Sequence, residues 1–515
     1  MRALLIYPKT LPHIYTLKKA MLRLGNKSLY PPLGLLTAAS MLPDEWEFKL
    51  VDCNLRPVSE EMWAWADMVL LSAMMPQRED LHAQIREAKK RGKAVVVGGP
   101  YATALPEEAG NSGADFLVLN EGEITIPLFL QALAMGETSG VFSNETKPDV
   151  QTTPSPRYDL LDFNDYAGMA LQYSRGCPFM CEFCDIITLY GRVPRVKTPE
   201  QMLEELTQVY DMGWRGLITL IDDNFIGNKR HAKVFLTQLK IWLEEKRNPF
   251  VFVTEASIDL AGDLELLNLM VDCNFKAVFV GVETPDKESL KIIKKTQNLR
   301  SSLTESVDVI NQAGIAVIAG MIIGFDGEEK GAGERIVNFV ETAAITIPNF
   351  GILQALPTTA LWDRLEKAGR IVTQDVYTSS SKVMNFIPSR PKNDIVNEYI
   401  DASWQLFEPR SYLKRVYNHV MRVKIEKNSK SNRPAVREWL YRLRMIGVKP
   451  LVLVLSLLWQ HGIVMPSRWD FWGHILRLLK NKPQAVFPYL ANCAMYDDLD
   501  YFRQSVKERM TKELV

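Results

Sequence analysis

Three of the chain's six cysteines fall within eight residues, in the stretch SRGCPFMCEFCDI, as Cys177, Cys181 and Cys184. Three thiols in so short a loop cannot pair off as disulfides without leaving one over, but they can hold a metal. A structural zinc takes four protein ligands, and the fourth has no clear candidate. Cys53, Cys273 and Cys493 sit in unrelated contexts, and no histidine lies near the triplet. Three thiolates with one open metal position suit a [4Fe–4S] cluster whose fourth iron is free to bind something else. The Cys-x3-Cys-x2-Cys spacing, with Phe183 directly before the last cysteine, sharpens that reading. A structural zinc or three unrelated thiols is the competing explanation.

The triplet needs a scaffold, and the chain is long enough to build one. Its 515 residues exceed one ordinary domain. Lys plus Arg equals Asp plus Glu at 61 each, so no global basic field exists to collect nucleic acid, and no nucleic-acid partner is expected. The N-terminal apolar run is shorter than a signal-peptide core and stops at Pro8. No uninterrupted apolar stretch reaches membrane-spanning length. The expectation is a cytoplasmic protein, where thiols stay reduced and clustered cysteines serve metals or catalysis.

The first 125 residues alternate between strands and helices. Candidate strands cover 2–8, 47–54, 68–75, 93–99 and 115–122. They are rich in Val, Leu and Ile without polar alternation, as strands buried on both faces should be. This predicts an α/β, doubly wound (flavodoxin- or Rossmann-like) parallel sheet over residues 1–140. The polar segment 141–165 reads as a linker. A second alternating series over 166–375 has strands at 168–176, 216–225, 249–257, 276–284, 315–325 and 349–357, a partial (β/α)6 barrel or a large parallel sheet. Asp222, Asp223, Asn224, Glu255, Glu283 and Asp326 gather at the carboxyl ends of these strands, where β/α barrels carry their chemistry. Residues 376–515 read as helical, basic and apolar by turns.

With the triplet and the strand-end residues in place, the stretch from about Tyr166 to Arg370 resembles the radical S-adenosylmethionine superfamily. The resemblance implies that the free iron chelates S-adenosylmethionine and that one-electron reduction, by a donor such as flavodoxin or ferredoxin, releases a 5′-deoxyadenosyl radical. That radical takes a hydrogen from the substrate. By the same resemblance Phe183 belongs to the S-adenosylmethionine site, and Asp222 or Asp223 meets the methionine ammonium. Glu255 and Glu283 hydrogen-bond the ribose or the methionine part, and Gly324 lets the adenine approach the backbone. Each carboxylate could equally be a solvated strand-end residue or a helix cap.

The first domain resembles the cobalamin-binding domain of the same superfamily. The residues that carry this are LLSAMM with Ser72, VVVGGPYAT with Gly98 and Gly99, and NEGE with Glu121 and Gly122. The resemblance implies that the serine hydroxyl and the paired glycines receive the cobalamin tail. The Asp-x-His-x-x-Gly element of many such domains is missing. His13 stands in the first loop without the Asp and Gly, and reads as an ordinary loop histidine. A nucleotide or flavin domain is the rival, weakened because no Gly-x-Gly-x-x-Gly follows the first strand. Cobalamin implies methyl transfer to an unactivated carbon. The stretches CEFCDIITLYGRVPRVKTPEQ and DDNFIGNKR are similar to those of hopanoid methylases, which narrows the substrate class to a lipid or isoprenoid. A non-methylating radical reaction (tetrapyrrole ring closure, lipid carbon–carbon coupling) and a non-catalytic iron–sulfur protein are the alternatives.

Between Arg410 and Lys449 basic residues outnumber acids, and the apolar run PLVLVLSLLW and the Trp-rich SRWDFWGHILRLLK follow. This pattern fits peripheral contact with the inner face of a membrane. It fits as well a buried helix with a solvated basic face.

Overall fold

The computed structural model describes residues 1–11, 18–24, 27–376, 383–424 and 450–514. His13 and residues 425–449 of the basic run lie outside them.

β1 (Arg2–Tyr7), β2 (Glu47–Asp52), β3 (Met68–Ser72), β4 (Ala94–Gly98), β5 (Phe116–Val118) and β6 (Gly140–Phe142) form one parallel sheet, ordered β2-β1-β3-β4-β5-β6. Alternate residues serve opposite cores. Leu4, Ile6, Val69 and Leu71 enter one apolar layer, and Ala3, Leu5, Met68 and Leu70 enter the other. Helices cover both faces, which is why these strands lack polar alternation. The strand order reverses between β1 and β3, so the ligand crevice of such a sheet opens at their carboxyl ends.

The sheet has one strand more than the sequence suggests. Residues 140–142 pair with β5, and Phe142 packs with Phe116 and Phe129. The rest of the segment expected as a linker is also built into the fold. Tyr158 is fully buried and donates to Ala170 O at 3.0 Å. Arg157 N donates to Leu36 O, and the carboxylate of Asp165, itself buried, accepts from Lys27 Nζ at 2.6 Å. Isolated apolar residues among polar ones leave no periodicity to read, and only the two sheets on either side give them partners.

β7 (Gly168–Leu171) starts the second sheet. It ends earlier than expected, and the chain turns into a two-residue ribbon, β8 (Ser174–Arg175) paired antiparallel with β9 (Arg195–Val196). β10 (Gly216–Leu220), β11 (Phe250–Glu255), β12 (Phe275–Glu283), β13 (Ala316–Ile323) and β14 (Pro348–Ile352) then add in chain order beside β7, all parallel. The result is an open, sequential six-stranded sheet whose carboxyl ends share one edge. Residues 383–424 and 450–514 are mainly helical and reach back to both sheets. Helix Lys392–Leu406 packs between helices Ala332–Thr342 and Tyr496–Leu514, and Asp498 accepts from the backbone of Lys19 and Ala20.

The two sheets are fastened edge to edge by charge. Glu121, past the end of β5, accepts from Arg195 through both oxygens at 2.8 and 2.9 Å and from Arg175 at 2.8 Å. Its side chain is 2% exposed. Arg175 also pairs with Glu123 at 2.8 Å. Removing one partner of a buried pair leaves the other charge stranded, at about 3–5 kcal/mol. Glu121→Gln is therefore expected to lower the unfolding free energy by about that amount, measured by equilibrium urea denaturation. Glu60→Gln, which breaks an exposed pair with Arg91, is expected to cost less than about 1 kcal/mol. Equal losses for the two variants would contradict this account of the interface.

Candidate active site

The cysteine loop lies at the carboxyl edge of the second sheet and is positioned from several sides. Gly176 opens it at φ +95°, where an added Cβ would lie 2.9 Å from Gly191 O, so a side chain is barred there by space and conformation alike. Cys177 N donates to Gly191 O at 3.2 Å. Between the second and third cysteines, buried Glu182 accepts from Arg364 through both its oxygens. The Glu182 backbone is tied to Ile293 and Leu361. Arg364 and Arg370 both reach Asp326, so that strand-end carboxylate braces the loop from beneath.

The other strand-end carboxylates divide into two kinds. Asp222 accepts from Tyr173 N at 2.8 Å and Ser174 Oγ at 2.7 Å. Asp223 accepts from Gly176 N at 2.7 Å. Burial pushes Asp222 up to about 7 and Asp223 up to about 6, against the pull of those same donors. Both hold the backbone that enters the triplet. Glu283, at φ +65°, pairs with buried Lys295 at 2.5 Å. Asp223 is half-buried and Glu255 is the most exposed of these four, and the Glu255 side chain makes no hydrogen bond or ion pair within the described residues. Its surroundings deep in the sheet edge and then the neighbouring Asp223, Asp222 and Glu283 push it up to about 8. Phe183 packs against Phe325 at 5.7 Å, with Lys295 Nζ 5.6 Å from its ring centroid. Gly324, at φ +103°, turns the chain after β13, and Met384 and Ile395 already fill the space beside it. The freedom of that glycine is used by the turn.

The sulfurs have polar neighbours of their own. Gln297 Nε2 donates to Cys181 Sγ at 3.6 Å, and Asn224 Nδ2 to Cys177 Sγ at 3.9 Å. Burial raises the Cys177 and Cys184 thiols above their ordinary range. Among the described residues no three His, Cys, Asp or Glu side chains converge on one ion position. Three thiolates with no fourth protein ligand suit a cluster in which each thiolate takes a different iron. The buried Gln297 Oε1 has no partner among the described residues, a polar atom left over beside the triplet. The donor set fits an iron–sulfur cluster. Lys295, Gln297 and the Glu182–Arg364 pair are invisible to sequence reasoning. Gln297 stands 116 residues from the cysteine it meets, and nothing in the run Lys-Thr-Gln-Asn marks it.

The first sheet brings its carboxyl edge to the same place. Ser72 and Gly98 end β3 and β4 in register. The paired glycines serve the fold directly. A Cβ on Gly99 would lie 2.3 Å from Ser72 Oγ, and one on Gly98 would lie 2.9 Å from Val118 O. Glu121 is taken by the two arginines, and the space beside Gly122 is filled by Ile126. Gly99, Pro100, Thr103 and Asn120 from this edge face Leu189 and Tyr190, just beyond the cysteine loop, across a narrow cleft. A cofactor seated at this edge of the first sheet would therefore lie beside the cysteine loop of the second.

A carboxyl whose folded value is raised supports the fold while protonated and loses that support as pH climbs through the raised value. For Glu255 the window runs from its ordinary 4.5 to about 8. Cofactor-free protein is expected to be less stable at pH 8.5 than at pH 5.5 in urea denaturation, and Glu255→Gln to flatten part of that slope. An unchanged slope in the variant would contradict the assignment.

Comparison with known proteins agrees with this layout. Residues 25–130 match the B12 binding domain, 171–340 the radical SAM superfamily, and 359–512 a domain of unknown function, DUF4070. An uncharacterized methyltransferase of Synechocystis sp. is 49% identical over 515 residues, covering 100% of this chain and 94% of that protein. The hopanoid C-2 methylase of Rhodopseudomonas palustris is 34% identical over 458 residues, covering 87% of this chain and 84% of that protein. Among solved structures, the radical S-adenosylmethionine methyltransferase TsrM of Kitasatospora setae, with cobalamin and a [4Fe–4S] cluster bound, superposes with a TM-score of 0.58 at 16% identity, covering 75% of this chain and 82% of that one. The cobalamin-dependent radical enzyme OxsB, with aqua-cobalamin and S-adenosylmethionine bound, gives 0.60 at 15% identity, covering 100% and 81%. These two show the shared fold. The identity to the two methyltransferases across most of their length goes further: the chain belongs to the cobalamin-binding radical S-adenosylmethionine methyltransferase family, enzymes that work with a [4Fe–4S] cluster, S-adenosylmethionine and cobalamin.

Proposed function

We propose that this enzyme methylates an unactivated carbon of a lipid or isoprenoid substrate of the hopanoid kind. The observation that carries the reading is the apposition of the two carboxyl edges, held by Glu121 between Arg175 and Arg195. Methyl transfer to a carbon without acidic hydrogens needs a radical source and a methyl source at one place, and the apposed edges put both cofactor domains there. When bound, the cluster with S-adenosylmethionine supplies a hydrogen-abstracting radical, and cobalamin supplies the methyl group.

Cys177, Cys181 and Cys184 would hold the cluster. Asp222 and Asp223 fix the backbone before Cys177, and Glu182 with Arg364 fixes the turn between Cys181 and Cys184. Glu255, the strand-end carboxylate without a partner among the described residues, is suited to the cationic or hydroxyl-bearing parts of S-adenosylmethionine, and Phe183 would offer an apolar wall. Ser72, Gly98 and Gly99 lie where the cobalamin tail would enter, while Glu121 and Gly122 secure that edge. A low-potential donor such as flavodoxin or ferredoxin would supply the electron.

A lipid substrate calls for access to a membrane, and we place that access on the C-terminal helices. No helix among the described residues is long and apolar enough to cross a membrane. Yet Leu455, Trp459, Ile463, Trp469, Leu476 and Leu479 are all more than half exposed. Leu457, on the helix Pro450–Trp459 that also carries Leu455 and Trp459, is buried, so the apolar run both packs inward and faces out. Arg468, Arg477 and Lys480 lie among these residues. Exposed Trp and Leu bordered by cations suit a peripheral site on an anionic bilayer surface.

Anaerobically reconstituted enzyme, given methyl-deuterated S-adenosylmethionine, a reductant and lipid extract, is expected to form 5′-deoxyadenosine and a lipid carrying the labelled methyl. Cys177→Ala is expected to lose both. Formation of 5′-deoxyadenosine with no labelled product would overturn methylation in favour of another radical outcome. In flotation with vesicles containing phosphatidylglycerol, the Trp459→Ser, Trp469→Ser variant is expected to bind several-fold less than wild type. Binding equal to wild type would remove this surface from the account.

A further inference from the structure

Lys295 is a buried cation that neither the fold nor the reading above uses. Its ammonium is held by Glu283 at 2.5 Å, and it lies near enough to Cys181 and Cys184 to interact with both electrostatically. The turn that carries it is fixed by Asn298, whose Nδ2 donates to the carbonyls of Gly281 and Val282 at 3.1 and 2.9 Å. Those carbonyls flank an irregularity in the pairing of β12 with β13, and the irregularity turns Glu283 toward Lys295. An added Cβ on Gly281 would lie 2.6 Å from Lys295 Nζ, so the glycine leaves room for the ammonium. Two residues on, Gln297 donates to Cys181 Sγ, and across the loop Asn224 donates to Cys177 Sγ. Among the described residues, the triplet thus has a buried ammonium and two side-chain amide donors beside it.

We propose that Lys295, Gln297 and Asn224 form a shell that sets the reduction potential of the cluster held by the cysteine triplet, with Lys295 as its strongest member. This rests on the assignment of that triplet to the cluster. One electron from an external low-potential donor enters the cluster, and no bond in the shell forms or breaks. The added negative charge is stabilised by a nearby ammonium and by N–H donors on the thiolate sulfurs, so the shell makes reduction easier. Lys295 alone among the three carries a full charge, and burial leaves water little chance to screen it. Glu283 fixes its position and tempers its field. None of the three need touch the substrate, so they are positioning residues whose effect is read in the potential rather than in binding.

The test is an EPR-monitored redox titration of the anaerobically reconstituted full chain, with iron and sulfide content measured on every sample. Lys295→Met is expected to move the midpoint to more negative potential at full cluster content. Gln297→Leu and Asn224→Leu are expected to move it the same way by less, and Lys295→Arg to restore a midpoint close to wild type. A wild-type midpoint in fully loaded Lys295→Met would overturn the proposal. If Lys295→Met does not load, Gln297→Leu decides in its place: a more negative midpoint supports the shell, and an unchanged one overturns it. A wild-type chain that loads no cluster would instead sink the assignment of the cysteines, a separate failure.

Discussion

The buried carboxylate of Glu121 is the contact that ties the carboxyl edges of the two sheets together. Glu121 sits past the end of β5 and accepts from two arginines, one on each strand of the ribbon that frames the cysteine loop. The pair is costly to desolvate and costly to break, so its worth lies in orientation. Either sheet alone would present its carboxyl edge to water, as open α/β sheets do. The buried charges favour the arrangement in which the two edges face each other. A cluster with S-adenosylmethionine at one edge and cobalamin at the other would then supply radical and methyl group to one place.

Most strand-end carboxylates in this enzyme are structural. Asp222 and Asp223 accept from the backbone that leads into the triplet, Asp326 braces two arginines, and Glu283 is spent on Lys295. A loop with little regular structure must hold three thiols in a fixed relation, and buried ionic contacts do this where helix or sheet ladders cannot. Glu255 stands apart because no side chain or backbone group among the described residues satisfies its carboxylate. That contrast, and not position on a strand, separates a ligand-ready carboxylate from a supporting one.

What the sequence made legible was local. The cysteine spacing, the Val-rich strands and the glycines that end them are short-range patterns, and the two parallel sheets follow from them. The structure gives some of these residues other roles. Gly98 and Gly99 are required by Val118 and Ser72 within the sheet itself, and Gly324 by a turn packed against Met384 and Ile395. The stretch after β6 carries no periodicity, yet Tyr158 is among the most buried residues of the chain. The contacts of Lys295, Gln297 and Arg364 were out of reach for the same physical reason: each acts across more than a hundred residues or through a turn that only the fold creates. The sequence similarity to hopanoid methylases gave the family, while the exposed apolar helices near the C-terminus add a surface that a lipid substrate would need.

Both cofactors would occupy one site between the two carboxyl edges. Pulsed EPR of the loaded enzyme, with the cluster reduced and cobalt in its paramagnetic divalent state, tests this directly. Strong magnetic coupling between the two centres is the expected result, and two magnetically isolated centres would contradict it.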